Sequence, residues 1–375
     1  MRSALVVGGT GPTGPDVVNG LLARGFEVTI FHSGFHEAEF AGEVRHIHGD
    51  PHFRHTIEDA LGHAEFDVVI AQYGRLRHLT AHFAGRAGHL VGIGGATGQL
   101  AAQAATEWGG LGRPAVITEG QQILETDEQR NKFGFRMAQA YQGLFEAHAR
   151  GDFRATYIGY PMLYGPHQPG LREWCIVRRI LDGRRQIVLP DGGLKLESRG
   201  YVANVSLAPL LAVDRPEISG GRAYVVADSE IHTLRQRVEF IAGYLEHELE
   251  IVDVPFPYAG PAHPLYRSSR EHRVGISQRI RDELGYVDTY SATEGLARTV
   301  DWLTANPPPP GGELEQQLGD PFDYPGEDEV ILAWGQAVEQ LRRVTYDVPE
   351  YAHIYRHPKQ PNEQWTRPAD PKRPA

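Results

Sequence analysis

The first fourteen residues constrain the fold more than any other stretch. Ala4-Leu5-Val6-Val7 is a short apolar run that meets Gly8-Gly9-Thr10-Gly11-Pro12-Thr13-Gly14, and an amphipathic stretch from Val17 to Leu22 follows. That order is strand, glycine turn, helix. A helix opening directly after a buried strand presents unpaired backbone N–H groups and the positive end of its dipole. An anionic pyrophosphate fits there when no side chain blocks its approach, which is what glycines provide. Gly8, Gly11 and Gly14 are spaced G-x-x-G-x-x-G. The pattern gains weight from its strand-to-helix setting. Nucleotide binding through Gly8, Thr10, Gly11, Pro12, Thr13 and Gly14 is therefore expected over a turn that only packs helix on strand.

Strand and helix signals then alternate. Glu27–Phe31, Arg45–His48, Phe66–Ala71, His89–Ile93 and Ala155–Ile158 read as further strands, and Thr56–Leu61 as a helix between them. Such alternation predicts an α/β fold, a Rossmann-type doubly wound parallel sheet. Ligands on such sheets bind beyond the carboxyl ends of the strands. From about Tyr164 loops, short strands and helices take over, among them Trp174–Leu181, Arg222–Val226 and Leu234–Tyr244. Asn306-Pro307-Pro308-Pro309-Pro310-Gly311-Gly312 is a linker, because prolines cannot continue a helix. The expected organisation is a nucleotide-binding domain over 1–165, to which later strands return, a smaller C-terminal substrate lobe over 166–305, and an added C-terminal segment over 306–375. That segment holds a helix from Glu329 to Leu341 and a tail, Tyr355–Ala375, expected to be extended or disordered. Its apolar stripe, Val330-Ile331-Leu332-Trp334-Val338-Leu341, needs cover from the main body or from a second subunit in a homodimer, since each large side chain left exposed forfeits about 1.5–3 kcal/mol of burial.

Composition excludes several classes. The 375 residues carry a net charge of −11 and no long Lys/Arg run, which disfavours a nucleic-acid partner. No apolar segment approaches the roughly 20 residues of a membrane span. The first strand begins at once, without room for a signal peptide, and a single cysteine, Cys175, suits a reducing compartment. A cytoplasmic protein with a small-molecule substrate is expected. The 18 histidines raise the question of a metal. His46 and His48 share a strand face, with Asp50, His52 and His55 behind. Zinc needs three or four ligands converging at about 2 Å, and this strand must pack under a helix while Asp50 lies where adenine would bind. No metal is expected.

Further segments follow the glycine turn: Gly49-Asp50 after the third strand, Thr118-Glu119, Tyr160-Pro161-Met162-Leu163-Tyr164-Gly165-Pro166 and Arg199-Gly200-Tyr201-Val202. Together they resemble the extended short-chain dehydrogenase/reductases, the NAD-dependent epimerase/dehydratase family, over about residues 1–305. The resemblance implies a nicotinamide cofactor and chemistry by a Ser, a Tyr and a Lys. The Tyr is the acid/base for hydride transfer, and the Ser holds the substrate oxygen. At the matching positions this chain has Gly95, in Ile93-Gly94-Gly95-Ala96-Thr97, and Phe133 and Met137, in Phe133-Gly134-Phe135-Arg136-Met137. The family's Arg before Tyr-Pro is Gly159. Phenylalanine has no proton to transfer and methionine cannot lower a neighbour's pKa, whereas acid–base catalysis is worth about 10²–10⁴-fold. Lys132 is no simple substitute, pointing about 100° away from Phe133 on a helix.

An acid/base must then sit elsewhere. Tyr73, after the fourth strand, Tyr141, one turn beyond Met137, and Tyr164, after the sixth strand, are the catalytic candidates. Arg75, Glu119, Trp174 and Arg199 are the substrate-binding candidates, and a guanidinium such as Arg199 suits a phosphate or carboxylate. A structural reading stands beside each: Tyr141 and Trp174 as packing residues, Tyr164 as a turn residue, Glu119 as a loop anchor, Arg199 as an ion pair between lobes. Gln72 and Asp50 complete the expected cofactor contacts. Cofactor choice rests on Ile30-Phe31-His32-Ser33-Gly34. An Asp or Glu at that tip would take the ribose 2′-hydroxyl and select NAD. None is there, and His32 and Ser33 could donate to a 2′-phosphate, so NADP is expected before NAD. The expected function is an NAD(P)-dependent oxidoreductase, epimerase or dehydratase with a non-standard acid/base. A non-redox lyase or isomerase on the same fold, and an NAD(P)-binding sensor without turnover, are the alternatives.

Overall fold

The computed structural model describes residues 2–72, 76–96, 115–120, 132–262, 265, 272–347 and 361. Tyr73, Arg75, Thr97 and the Tyr355–Ala375 tail, apart from residue 361, lie outside them. The chain divides by its contacts into two units, Met1–Tyr324 and Pro325–Ala375.

In the first unit the strands are β1 (Arg2–Val7), β2 (Phe26–His32), β3 (Arg45–His48), β4 (Phe66–Gln72), β5 (Ala87–Gly95), β6 (Val116–Ile117), β7 (Arg154–Tyr160), β8 (Met162–Tyr164), β9 (Gln186–Pro190), β10 (Arg199–Tyr201), β11 (Arg222–Val225), β12 (Glu250–Val254) and β13 (Val274–Gly275). Seven form the main sheet, in the order β11-β7-β5-β4-β1-β2-β3, each neighbouring pair parallel. Strands covered on both faces read as continuous apolar runs, and β1 is buried from Ala4 to Val7 and β4 from Val68 to Gln72. On one face Leu5, Val7, Phe31, Val69 and Leu90 meet Ile57, Leu61, Leu79 and Leu144 of three helices. The order reverses at β1, which pairs with β2 on one side and β4 on the other. A cleft opens at such a reversal, beyond the carboxyl ends of the strands.

The Rossmann-type sheet is thus as the alternation predicts, and β11 returns to it from the later sequence. The smaller lobe is built on the pairs β8–β10 and β9–β12 with the helices Glu173–Leu181, Leu234–Tyr244 and Ala292–Ala305, the last two opened by capping boxes at Thr233 and Ser291. The helix Glu313–Leu318 belongs to the first unit and docks on the lobe helix 173–181. Glu315 accepts from the Trp174 indole N–H at 2.9 Å and Arg178 at 2.8 Å, and Asp320 from Arg179 at 2.7 Å. The first part of the C-terminal segment is therefore an integral piece of the lobe. In the second unit, the helix Tyr324–Leu341 exposes Leu332 and Leu341 of the apolar stripe. Among the described residues no helix is long and apolar enough to cross a membrane.

Candidate active site

Gly8 and Gly9 turn the chain out of β1 with φ of 101° and 88°, a region costly to any residue with a Cβ. The helix Gly14–Ala23 begins at once, with Thr13 at its N-cap and Pro15 in its first turn. A Cβ on Gly14 would overlap the Gly9 backbone, whereas one on Gly11 would meet nothing within 4 Å. Gly14 thus lets the turn close, and Gly11 leaves its outer side open. Gln72 ends β4 next to Gly8. Its amide nitrogen is buried and, among the described residues, has no hydrogen-bond partner. A buried N–H without a partner costs about 1–3 kcal/mol, and an oxygen-rich ligand seated at the turn would satisfy it.

At the far end of this cleft Gly49 N–H donates to the His32 carbonyl at 2.9 Å, which ties β3 to β2. The Asp50 carboxylate accepts from the His52 backbone N–H and meets its ring nitrogen, both at 2.8 Å. Ser33 is exposed at the tip. The sequence shows no acid there, but the structure folds Glu37 back over it. The Glu37 carboxylate stands 3.4 Å from His46 and 3.7 Å from His48. A carboxylate so close to the tip removes the ground for expecting NADP first.

The end of β5 is closely packed. The Tyr157 hydroxyl, rising from β7, donates to the Gly95 carbonyl at 2.8 Å. A Cβ on Gly94 would stand 2.9 Å from the Met137 methyl, and one on Gly159 2.8 Å from Ala96 Cα. The Tyr157 hydroxyl and the Met137 methyl thus fill the end of β5. Phe133 lies in the helix Lys132–Arg150 with Met137. Phe133→Tyr with Met137→Lys is expected to lower stability by about 1–3 kcal/mol, since the new ammonium is partly desolvated, without raising nicotinamide-dependent turnover. Thermal melting and absorbance of the reduced nicotinamide measure both. A rise in hydride transfer would mean that the ordinary site is only two substitutions away.

The candidate side chains lie in different places. Tyr141 stands on the same helix, half-buried, edge-on to Tyr157 and Phe145 at 5.0 and 4.8 Å between ring centres. Burial raises its pKa, and among the described residues its hydroxyl carries no hydrogen bond. Tyr164 is fully buried. Its hydroxyl donates to Asp228 at 2.8 Å and lies 3.1 Å from the Ala292 carbonyl. Burial, then the Asp228 charge, push its pKa well above the usual value, so its proton stays in the junction between lobe and sheet. Its ring lies under the Arg237 guanidinium at 4.8 Å. Trp174, expected to line the substrate site, is instead buried, with its N–H on Glu315. Glu119 accepts from the Val225 N–H at 2.8 Å and anchors β11.

Arg199 does face an opening. A small cleft of about 30 Å³ is lined by Arg172, Lys195, Arg199 and Arg237 against Glu173 and Glu197. Arg199 is 2.9 Å from Glu173 and 3.6 Å from Glu197. Arg237 also bonds Glu173. Burial pushes the Glu173 carboxyl up, but Arg199 and Arg237 outweigh it and hold it below the usual range. Burial first, then Arg273, Arg172 and Arg199, bring the Lys195 ammonium down to about 8, against the pull of Glu197. Cations exceed carboxylates on these walls, which suits an anionic ligand. Lys195, Glu197 and Arg199 alternate in the sequence, a period-two signal that was there to be read. Nothing in the sequence tied Arg172, Glu173 or Arg237 to them.

The chain has the extended short-chain dehydrogenase/reductase fold. The UDP-glucose 4-epimerase of Thermotoga maritima, solved with UDP-glucose, superposes with a TM-score of 0.61 at 15% identity, over 81% of this chain and 99% of that one. DesIV, the dTDP-glucose 4,6-dehydratase of Streptomyces venezuelae, solved with NAD and TYD, gives 0.62 at 17% identity over 81% and 98%. In sequence the chain is similar to the uncharacterized protein y4nL of Sinorhizobium fredii, at 26% identity over 184 residues, 43% of this chain and 50% of that protein. It is also similar to the 4-hydroxy-2-methyl-3-oxo-4-farnesyl-3,4-dihydroquinoline-1-oxide ketoreductase of Stigmatella aurantiaca, at 25% over 272 residues, 68% and 77% of the two chains. The chain thus spans about half the length of the first relative. No model of a known protein family matches it.

Proposed function

We propose that the chain is an oxidoreductase of the epimerase, dehydratase or ketoreductase kind that uses a nicotinamide dinucleotide and acts on a small polar metabolite bearing an anionic group. The observation that carries this is the open side of the turn at Gly11, with the unpartnered buried amide of Gln72 beside it. Gly8, Thr10, Gly11, Pro12, Thr13 and Gly14 would hold the pyrophosphate, Gln72 the adjoining part, and His32, Ser33 and Asp50 the adenosine end. Support comes from solved neighbours with NAD bound and from a ketoreductase among the sequence relatives. A bound nicotinamide would supply the hydride acceptor or donor.

The chain's own residues would do the rest. Arg199 and Arg237, fixed by Glu173, and Arg172 and Lys195 would fix the anionic group of the substrate and so orient its reacting carbon. With Tyr164 held by Asp228, the proton falls to Tyr141 or to Tyr73. Arg75 stands near Tyr73 in sequence and is assigned to substrate. Trp174 and Glu119 support the lobe and β11. A second reading, a dinucleotide sensor without turnover, is favoured by the Tyr157–Gly95 bond and the Met137 methyl filling the end of β5.

Calorimetric titration with NAD+ and NADP+ tests the cofactor. The native chain is expected to bind one of them, and Gly11→Val to weaken that binding at least 100-fold, about 2.7 kcal/mol, with unchanged melting because the new side chain meets no neighbour. Gly14→Val is a poorer test, since its Cβ would break the turn itself. Unchanged affinity in folded Gly11→Val, or no binding to the native chain, would remove the dinucleotide.

A further inference from the structure

A group of side chains at the outer edge of the sheet shares His32 with the adenosine end proposed above and has a chemistry of its own. β3 is the last strand, and its register on β2 sets Ile30 opposite His46 and His32 opposite His48. Residues two apart on a strand share a face. His32, His46 and His48 therefore project from one face, while Phe31 packs into the core on the other. Glu37, on the segment after β2, closes the group. His32 Nε2 is 3.2 Å from His46 Nδ1. The Glu37 oxygens are 3.4 Å from His46 Nδ1 and 3.7 Å from His48 Nε2. The ligand atoms of all four residues lie within 4.8 Å of one another.

We propose that His32, Glu37, His46 and His48 form a binding site for one transition-metal dication of the zinc class. Zinc holds imidazole nitrogen and carboxylate oxygen at about 2.0–2.2 Å, so adjacent ligands of a tetrahedral site stand about 3.3–3.5 Å apart. The spacings of 3.2, 3.4 and 3.7 Å are within a few tenths of an ångström of that, and the remaining ones, all within 4.8 Å, close by side-chain adjustment. Three nitrogens and one oxygen suit zinc, cobalt, nickel or copper, and suit magnesium or calcium poorly. His32 is buried and fixes one ligand, while the His46 and His48 side chains, 30% and 60% exposed, leave an entry path.

Without a metal, the Gly34 N–H donates to His32 Nδ1 at 3.3 Å, and His32 Nε2 lies 3.2 Å from His46 Nδ1. The Glu37 carboxylate argues against the other ligand that three imidazoles attract, a phosphate, because it would repel one. Sequence alone sets Asp50, His52 and His55 behind His46 and His48 and gives no reason to add His32 or Glu37. The group is completed across the strand by His32 and over a loop by Glu37.

The test uses the full chain freed of metal by a chelator. Titration with Co²⁺ is expected to give the strong visible bands of a four-coordinate ion, saturating at one per chain, and Zn²⁺ to displace it. His46→Ala and Glu37→Gln are each expected to weaken Zn²⁺ binding at least 10-fold, and His52→Ala with His55→Ala to leave it unchanged. Both altered side chains are partly exposed, so melting curves of the variants should match the native one. Weak Zn²⁺ binding that ignores His46→Ala and Glu37→Gln would overturn the proposal. So would inorganic phosphate binding that strengthens in Glu37→Gln while Co²⁺ gives no bands. Neither result depends on whether the chain binds a dinucleotide.

Discussion

Asp320→Ala is expected to destabilise the chain by about 3–5 kcal/mol, the range for breaking a buried ion pair by removing one partner. Asp320 and Arg179 have side chains only 1% and 3% exposed, and they meet through two contacts of 2.7 and 3.3 Å. The remaining carboxylate capacity is used by the Phe322 N–H at 3.0 Å, and Arg179 also donates to the Cys175 carbonyl at 2.9 Å. Alanine would leave a guanidinium in the lobe interior without the carboxylate that meets it. It would also free the loop that carries Phe322 and Tyr324 over Arg178, Arg179 and Arg184. The comparison is Glu58→Ala, which breaks the exposed i,i+4 pair with Arg54 and should cost no more than about 0.5 kcal/mol. Urea denaturation of both variants measures the difference. A loss under about 1 kcal/mol for Asp320→Ala would mean that the segment after the proline linker is an appendage to the lobe.

The contrast between that segment and the sheet shows what a single sequence carries. Ala4–Val7, Val68–Ala71 and Leu90–Ile93 declare themselves because a strand buried on both faces must be apolar throughout, and the glycines at 8, 9 and 14 because the turn admits nothing larger. The parallel order follows from the alternation. Contacts made by polar residues far apart in sequence have no such signature. Asp320 and Arg179 are 141 positions apart, and nothing in Asp320-Pro321-Phe322-Asp323-Tyr324 says which arginine it meets. Trp174 has the look of a ligand-facing aromatic but is held from behind by Glu315. Tyr164 sits at the right strand end for chemistry, yet Asp228, Asn204 and the Tyr201 N–H close a buried network around it. Glu37 is five residues past its strand, too far to be read as part of the tip.

Glu173→Gln is expected to cost about 3–5 kcal/mol near neutral pH and progressively less as the pH falls. Glu173 is 2% exposed, and its Oε1 serves two guanidiniums, Arg199 at 2.9 Å and Arg237. Glutamine keeps the shape but removes the charge. Arg199 and Arg237 are then left beside Arg172 and Lys195 with Glu197 as the remaining carboxylate on the cleft wall. Burial alone would raise the Glu173 pKa, and the two arginines reverse that, so the folded-state value lies below the ordinary 4.5. A carboxylate depressed by folding contributes stability in full above its unfolded value, and loses it as pH falls through the folded one. Native and variant chains should therefore differ by a constant amount above about pH 5 and converge below about pH 4.5, where the native carboxylate begins to lose this contribution. Unfolding free energies from urea titrations across that range give the profile. A difference that stays constant into acid would mean that the lost energy is packing, and that Glu173 does not hold the two arginines to the cleft by charge.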